Sequence, residues 1–293
     1  MGYEPSGPAN PAGMPGRAGL ARRRLGVAAI YALLILGALI VFYPFLVMVM
    51  NSIKTAQEIN HYPLHFPSRI NTGGYAEVFR VLNITRLFGN TLFVACVALV
   101  LNVVLNAMGG YAIAKIDFPY RDLLFKVMLA SYMVPEVLLL IPSYMMFYSW
   151  GWVDTYKPLI LPGAVGAYNI FLVRQYMTHI HQDYLDAARI DGASELRIFA
   201  QVVLPMARPV LATIAILTFM GAWNDLFRPL LYLRDEKRFT LQLGLRFFQT
   251  SIPGLYVEQL YAGLVLATLP VVAVFLLLQN YFVTAFAGVG LKG

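Results

Sequence analysis

The chain has 293 residues, of which 59% are hydrophobic and only 13% are charged, whereas soluble domains carry about 25% charged residues. This composition excludes an ordinary soluble domain and indicates an integral membrane protein. The net charge of +7 does not indicate a nucleic-acid partner, because the basic residues are scattered and form no stripe with interleaved aromatic residues. With Cys96 as its only cysteine, the chain cannot form an internal disulfide.

The N-terminal 24 residues alternate glycine with proline and end in the basic triplet Arg22–Arg23–Arg24. Such a composition cannot bury a core, so residues 1–24 are predicted to be a disordered cytoplasmic tail. The uncharged run that follows, 25–50, is longer than a signal-peptide core of about 7–15 residues and ends in large side chains. We therefore expect a retained first span, with the arginines holding its start on the cytoplasmic side.

Six apolar runs are long enough to cross a hydrocarbon layer of roughly 30 Å, which takes about 20 helical residues. They lie at 25–50, 87–114, 123–148, 158–177, 210–233 and 260–286. The sequence therefore predicts an all-α membrane protein, a bundle of six transmembrane helices over residues 25–293. Prolines within the third, fourth and sixth runs predict kinks, which neighbouring helices tolerate by satisfying the freed carbonyls. These prolines are Pro135, Pro142, Pro162 and Pro270.

An even number of spans places both termini on one side of the membrane. The arginine triplet and the tight Lys115–Arg121 turn favour the cytoplasmic side for both, although basic residues also occur in the opposite connections. Two sizeable connections, 51–86 and 234–259, then lie outside. The first is rich in proline and aromatic residues, which suits an interfacial lid or docking surface and equally an aromatic belt at the headgroups.

Polar residues inside the apolar runs are candidates for a translocation path, because such groups are costly in lipid and usually face a bundle interior or a cavity. The candidates are Asn102, Asn106, Glu136, Asn169, Asn224 and Asp225.

Two of these candidate sets carry open alternatives. Asn102 and Asn106 share a helix face, and they either line the path or form interhelical hydrogen bonds. Glu136 or Asp225 could relay protons in a secondary transporter. For Asp225, a position near the outer boundary with Arg228 as a partner is favoured, and for Glu136 both alternatives stay open.

Motifs for enzymatic or cofactor chemistry are absent from the sequence. It contains no G-x-x-x-x-G-K-[ST], no G-x-G-x-x-G that opens a helix and no metal-ligand cluster. No G-x-S-x-G motif stands out either. The chain is therefore predicted to be no enzyme and to hold no cofactor of its own.

Residues 183–209, hereafter the central segment, mix both charge signs between two apolar runs. Asp183 and Asp186 lie in the first turn of a predicted helix, where the helix dipole favours negative charge. Ala187 and Ala188 continue that helix with a small surface. Gly192 can adopt the left-handed backbone conformation that ends one helix before another begins.

The second helix of the central segment is predicted to begin near residue 193. It places Leu196, Phe199 and Val203 on one apolar stripe, at spacings of three and four. Pro205 and Pro209 are expected to end this helix and to limit how the fifth span begins. The product is a rigid helical corner with an apolar stripe, which suits contact with another protein.

This segment resembles the cytoplasmic "EAA" loop of permease subunits in ATP-binding-cassette (ABC) importers, with the pattern E-A-A-x-x-x-G, nine residues, then I-x-L-P. In DAARIDGASELRIFAQVVLP, Asp186 replaces the glutamate and Val202 replaces the isoleucine. Further stretches resemble the smaller permease of maltose-type sugar importers. They are NSIKTAQEI (51–59), YAIAKIDFP (111–119), MVPEVLLLIPSY (133–144), LILPG (159–163), AWNDLFRPL (222–230) and GVGLKG (288–293).

The resemblance implies a type I importer permease in a prokaryotic inner membrane, carrying a di- or oligosaccharide. It implies a second homologous permease, two ATPase subunits that bind ATP and Mg, and an extracytoplasmic solute-binding protein as partners. The residues that it implies for coupling to the ATPases are Asp186, Ala187, Ala188, Gly192, Leu196, Phe199, Leu204 and Pro205. The alternatives are a proton-coupled transporter, a phosphorylated polyol or other non-sugar cargo, and a membrane scaffold or enzyme.

Overall fold

The computed structural model describes residues 17–81, 83–251 and 257–290, and within these ranges every regular element is a helix. In chain order the helices are α1 (Arg17–Asn51), α2 (Ala56–His61), α3 (Gly73–Val81), α4 (Ile84–Lys115), α5 (Arg121–Tyr132), a 3₁₀ turn (Glu136–Leu139), α6 (Leu140–Ser149), α7 (Lys157–Ile160), α8 (Ala167–Thr178), α9 (Gln182–Ile190), α10 (Glu195–Ile198), a π-helical turn (Phe199–Val203), α11 (Leu204–Met206), α12 (Arg208–Trp223), α13 (Phe227–Tyr232), a second 3₁₀ turn (Glu236–Arg238), α14 (Leu241–Ser251) and α15 (Val257–Gly290).

Three helices in the described ranges are long and apolar enough to cross a membrane unbroken, namely Gly26–Asn51 within α1, α4, and Val257–Leu277 within α15. Two further candidates are bent pairs: α5 with Glu136–Ser149 turns by 86°, and Glu195–Met206 with α12 turns by 81°. The all-α membrane fold is as predicted, and the bend after α5 falls at Pro135, where a kink was expected. Pro142 and Pro270 instead lie within the continuous helices α6 and α15.

Three predicted boundaries are wrong. The first helix begins at Arg17, so the tail predicted over 1–24 ends too late, and its residues 1–16 lie outside the described ranges. The fourth run, 158–177, is not one helix, because the four-residue α7 and the twelve-residue α8 are separated by residues 161–166. The fifth run, 210–233, breaks after Trp223, and α13 follows the break.

Helix α4 is the centre of the bundle, packing against both α8 and α12, while α12 also packs against α15. A Cβ atom on Gly110 would lie 2.4 Å from Val173 Cγ1 and 3.2 Å from the backbone nitrogen of Arg174. Glycine at 110 therefore allows α4 and α8 to approach this closely, as small residues do in membrane helix pairs.

The two ends of α4 contact different parts of the chain. At its N-terminal end, Asn90 Nδ2 donates to the carbonyl oxygens of Lys237 and Phe239, at 2.9 Å each. At its C-terminal end, the Lys115 ammonium donates to the Ile180 carbonyl oxygen at 2.5 Å, beside the central segment. The loop before α14 and the central segment therefore lie at opposite ends of the bundle.

The connection after α1 is organised by a buried lysine. Lys54 is fully buried, and its ammonium donates to Asn51 Oδ1 at 2.9 Å and to the carbonyl oxygens of Tyr62 and Pro63 at 3.1 and 3.2 Å. These three bonds use all three ammonium donors. Glu258, in the first turn of α15, accepts from the backbone N–H of Ala56 at 2.5 Å. The connection is thus fixed against the N-terminal end of α15.

Candidate functional site

The break between α7 and α8 is held by two asparagines of α4. Asn102 Nδ2 donates to the Gly163 carbonyl oxygen at 2.7 Å, and Asn106 Nδ2 donates to that of Ala164 at 3.1 Å. Asn106 Oδ1 accepts from the Gly166 N–H at 2.9 Å. Both asparagines are buried. Because unpaired backbone groups cost several kcal/mol in lipid, these amides stabilise a non-helical segment at membrane depth.

The side-chain amide of Asn102 joins two further helices. Asn169 Nδ2, from α8, donates to Asn102 Oδ1 at 2.9 Å, and Thr218 Oγ1, from α12, donates to that oxygen at 3.0 Å. Three helices therefore meet at one side chain. The structure thus shows the interhelical hydrogen bonding expected as one of the two alternatives for Asn102.

Beside this junction lies a partly open cavity of about 340 Å³. Its polar wall comes from α4, α8, α12, the helix break and α13. The residues of that wall are Asn102, Gly163, Tyr168, Asn169, Thr218 and Arg228. Two of the predicted path residues, Asn102 and Asn169, therefore line one cavity. Asn106 does not line it, but its side chain binds the helix break at Ala164 and Gly166.

Asp225 lies near the cavity as the partner of Arg228. The Asp225 carboxylate accepts from Arg228 Nε at 2.7 Å and from the Arg228 backbone N–H at 3.2 Å. The carboxylate is well covered, with a side-chain exposure of 14%, while the guanidinium is 33% exposed. The expected pairing of Asp225 with Arg228 is confirmed, and the acid is bound rather than free.

The remaining two path candidates lie elsewhere. Glu136 is exposed in the first 3₁₀ turn, and its side chain has no hydrogen bond or ion pair to any residue that the structure describes. Asn224 is exposed and donates to the Met220 carbonyl oxygen at 3.0 Å, within its own helix end. Neither lines the cavity. The side chains of Glu136 and Asn224 are thus not brought to the junction of the three helices.

Sequence reasoning missed three polar side chains that line the cavity, those of Tyr168, Thr218 and Arg228. Tyr168 and Thr218 are common residue types in membrane helices, and only its hydrogen bond to Asn102 distinguishes Thr218 from a solitary hydroxyl. Arg228 was recognised only as a partner for Asp225. A basic residue three positions after an acid, within an otherwise apolar run, is the sequence signal that could have marked it as a lining residue.

The central segment folds as two helices joined at a tight turn, as predicted. Gly192 has a φ of +78°. The Ala193 N–H donates to the Ala188 carbonyl oxygen and the Gly192 N–H to that of Arg189, both at 3.0 Å. These are the two hydrogen bonds of a Schellman motif, which requires a left-handed residue at the glycine position.

A polar network ties this turn to α4. Arg189 forms ion pairs of 2.8 Å with both Asp186 and Glu195. The Tyr111 hydroxyl, near the end of α4, donates to Glu195 Oε2 at 2.7 Å. The hydrogen bond from Tyr111, and next the one from Arg189, lower the pKa of Glu195. Sequence reasoning missed Tyr111 and Glu195 because they are 84 positions apart.

The predicted stripe of Leu196, Phe199 and Val203 is partly wrong. Phe199 and Val203 are buried against the transmembrane helices, whereas Leu196 is 70% exposed. The buried stripe instead begins at Ile198, which is fully buried. A π-helical turn bonds residues five apart, so it places Ile198 and Val203 on one face.

The helix end predicted at Pro205 is one residue early. The helical path continues to Met206, and the bend lies at Ala207, between the two prolines. Pro205 has no N–H to donate, and the Leu204 N–H bonds to Phe199, five residues back, as part of the π-helical turn. Leu204 is half-buried and Pro205 is exposed.

Comparison with known proteins identifies this architecture. Residues 106–287 match the family of binding-protein-dependent transport system inner membrane components. The chain belongs to this family. It is therefore a multi-pass membrane permease subunit of an ABC importer and not an enzyme. The matched residues include Asn106, the cavity residues from 163 to 228 and the whole central segment.

Relatives match over nearly the whole chain. The arabinooligosaccharides transport system permease protein AraQ of Halalkalibacterium halodurans is 34% identical, covering 87% of this chain and 93% of the relative. The diacetylchitobiose uptake system permease protein NgcG of Streptomyces coelicolor is also 34% identical, covering 90% and 88%. A chain from a bacterial ABC transporter that imports the acidic polysaccharide alginate superposes with a TM-score of 0.78 at 26% identity, covering 89% and 98%.

Proposed function

We propose that this chain forms half of the translocation pathway of an ATP-driven importer for a di- or oligosaccharide delivered by an extracytoplasmic binding protein. A second, homologous permease forms the other half, and two separate ATPase subunits bind ATP and Mg. Membership of the family and relatives named for oligosaccharide uptake support this proposal. This chain supplies the membrane path and the surface through which ATP-driven motion reaches it.

The central segment is proposed to dock on an ATPase subunit through its exposed apolar residues. Ile190 is 86% exposed and Leu196 is 70% exposed, with Tyr184 and Ala187 also exposed nearby. Apolar groups gathered on the exposed face of a segment predicted to be cytoplasmic mark a protein-binding surface. Asp186 joins this surface at its polar rim, since it is exposed and held by Arg189.

The other coupling candidates are proposed to hold the docking surface in place. Gly192 sets the angle between the two helices. Phe199 packs its ring 5.2 Å from that of Tyr111 on α4. Ala188 packs against the buried cluster from the helix before the turn. Leu204 and Pro205 lie on the helical path that leads from the turn to the bend before α12. A push on the docking surface would thus reach α4 and α12 directly.

Both termini are proposed to be cytoplasmic, in a prokaryotic inner membrane. Helix α1 ends, and helix α15 begins, at the connection organised by Lys54. Helix α14 packs against both α15 and α4 and follows the loop bound at the N-terminal end of α4, away from the central segment. The N-terminal end of α1 and the C-terminal end of α15 therefore point toward the side that carries the central segment. The arginine triplet in α1 agrees with this orientation under the positive-inside rule.

The observation that carries the proposal is the central segment: a Schellman turn with exposed Ile190 and Leu196, tied to α4 through Glu195 and Tyr111. Purification of the intact complex through an affinity tag on this chain tests it. We expect two ATPase subunits, a second permease and a binding protein to co-purify, with ATP hydrolysis stimulated by loaded binding protein. A preparation without any ATPase subunit would refute the proposal.

A further inference from the structure

The cavity at the break between α7 and α8 has the features of a ligand site within this chain. We propose that it is a cargo-binding subsite for a neutral, hydroxyl-rich solute, so that this subunit contacts the cargo itself. This inference rests on the proposed function and deepens it. It adds Arg228, Tyr168 and Thr218 to the path, and it narrows the chemical class of the cargo.

The first argument is the energetic cost of exposing the polar wall of this cavity to lipid. Residues 161–166 form no helix, and Gly163 within them is exposed. Non-helical backbone at membrane depth is tolerated only where it is buried in protein or lines a water-filled cavity. The partly exposed guanidinium of Arg228 borders the same cavity. A lipid-facing position would be costly for both groups, so the opening faces an aqueous path.

The second argument is the supply of unused hydrogen-bonding atoms. Both hydrogen bonds of Arg228 go to Asp225, from the backbone N–H and from Nε. Among the residues that the structure describes, none forms a hydrogen bond or ion pair with its two Nη atoms. The amide nitrogen of Asn169 is bound to Asn102, and its Oδ1 has no partner in the described ranges. Donors and an acceptor are therefore present together, as a hydroxyl that both donates and accepts requires.

The third argument is charge. Arg228 is the only charged residue that lines the cavity in the described part of the chain, and Asp225 neutralises it at 2.7 Å. Because the ion pair carries no net charge, an anionic cargo gains no net electrostatic attraction here, whereas a neutral polyol can accept hydrogen bonds from the free Nη donors. Tyr168, 43% exposed, adds an aromatic face against which a sugar ring can pack. The wall therefore suits a neutral sugar better than a phosphorylated or acidic one.

The fourth argument is space. A Cβ atom on Gly221, which lines the cavity from α12, would meet no atom within 4 Å. The volume of about 340 Å³ lies at the lower end of the range for small-molecule pockets, about 300–1,000 Å³. The part of the site that this chain forms accommodates one or two sugar rings. The homologous permease closes the open side.

A cysteine-protection experiment tests the proposal in the intact transporter, reconstituted in proteoliposomes with its binding protein. Gly221→Cys is made in a Cys96→Ser background, because Cys96 is exposed and would itself react. Gly89→Cys is the matched control, since Gly89 also has open space around its Cβ position but lies outside the cavity. The rate of labelling by a charged, water-soluble maleimide is measured in the presence of each of three oligosaccharide pools, which are neutral, uronate-containing and phosphorylated.

We expect the reagent to label the Gly221→Cys variant and a neutral pool to slow this labelling. At ten times its dissociation constant, the pool should slow labelling about tenfold by mass action, while labelling of Gly89→Cys is unchanged. Protection only by the uronate or phosphorylated pool would overturn the neutral-cargo assignment. Absence of protection by a pool that still stimulates ATP hydrolysis would overturn the subsite and leave the proposed function intact. Failure of every pool to stimulate hydrolysis would instead count against the proposed function.

Discussion

The turn at Gly192 provides a quantitative test. If backbone conformation controls coupling, the Asn variant at this position should couple better than the Ala variant, whereas an effect of side-chain size predicts the reverse. The φ of Gly192 is +78°, and a Cβ atom would meet nothing within 4 Å. Gly192→Ala therefore causes no clash, and its cost is the left-handed conformation, about 1–2 kcal/mol. Loss of unfolded-state freedom offsets about 0.4–1 kcal/mol of this. The net cost of about 1 kcal/mol lowers the equilibrium constant for forming the native turn about fivefold relative to the glycine chain.

Gly192→Asn separates the two explanations, since asparagine is larger than alanine but enriched several-fold in the left-handed region. We expect the amount of cargo imported per ATP hydrolysed to fall in the order Gly, Asn, Ala, Val. The assay measures uptake and ATP hydrolysis together in proteoliposomes, after membrane insertion is shown to be equal. If the ratio instead followed side-chain size, so that the Asn variant coupled less well than the Ala variant, the role assigned to the turn geometry would be wrong.

Three further predictions follow from contacts distant in sequence. Gly110→Ala places a methyl group against Val173 and should destabilise the folded subunit by about 1–3 kcal/mol, seen as a lower unfolding temperature in detergent. Tyr111→Phe keeps the ring but loses a hydrogen bond to ionised Glu195, which is worth about 1.5–3 kcal/mol, and should lower coupling without lowering insertion. Asp154→Ala removes the carboxylate that accepts from two backbone N–H groups of the loop after α13, and should increase proteolysis of that loop.

Each of these variants has a control. Gly89→Ala should not lower the unfolding temperature, because its Cβ position is open and alanine favours a helix more than glycine does. Glu195→Gln keeps an acceptor for the tyrosine hydroxyl but loses the charge that pairs with Arg189, so its coupling should lie between wild type and Tyr111→Phe. Normal coupling in Tyr111→Phe would show that the network is only structural. Unchanged proteolysis in Asp154→Ala would remove the role given to that carboxylate.

The pKa of Glu195 also gives a pH dependence. Hydrogen bonds from Tyr111 and then Arg189 hold this pKa below its ordinary value. For a carboxyl with a lowered folded-state pKa, the stabilisation is present above the unfolded-state pKa and is lost as pH falls through the folded-state pKa. The central segment should therefore stay attached to α4 at neutral pH and detach only in acid, measured as faster amide exchange. Glu195→Gln should abolish this pH dependence.

The central segment could be predicted largely from sequence because its geometry is local. Gly192, the preceding helix and its capping hydrogen bonds lie within a few residues of one another. The pairing of Asp225 with Arg228 was likewise accessible, since the two residues are three apart. The position of Leu196 was wrong, because a π-helical turn changes the period on which the stripe was predicted.

The cavity could not be predicted because it depends on contacts across the chain. Residues 158–177 are apolar enough to read as a span, and hydrogen bonds from Asn102 and Asn106, about 60 positions earlier, are what stabilise the break. The close contact of Gly110 with Val173 is similarly distant in sequence. Composition and hydropathy identified the long helices, whereas the polar contacts between helices determine where a path can open.

The source of energy is the most direct test of the central claim. Uptake of the stimulating oligosaccharide is measured in proteoliposomes that contain the purified complex and its loaded binding protein. The account predicts that removing internal ATP abolishes uptake and that a protonophore leaves it unchanged, because ATP hydrolysis supplies the energy and Asp225 is held in an ion pair by Arg228. Uptake that persisted without ATP but failed when the proton gradient was collapsed would contradict it.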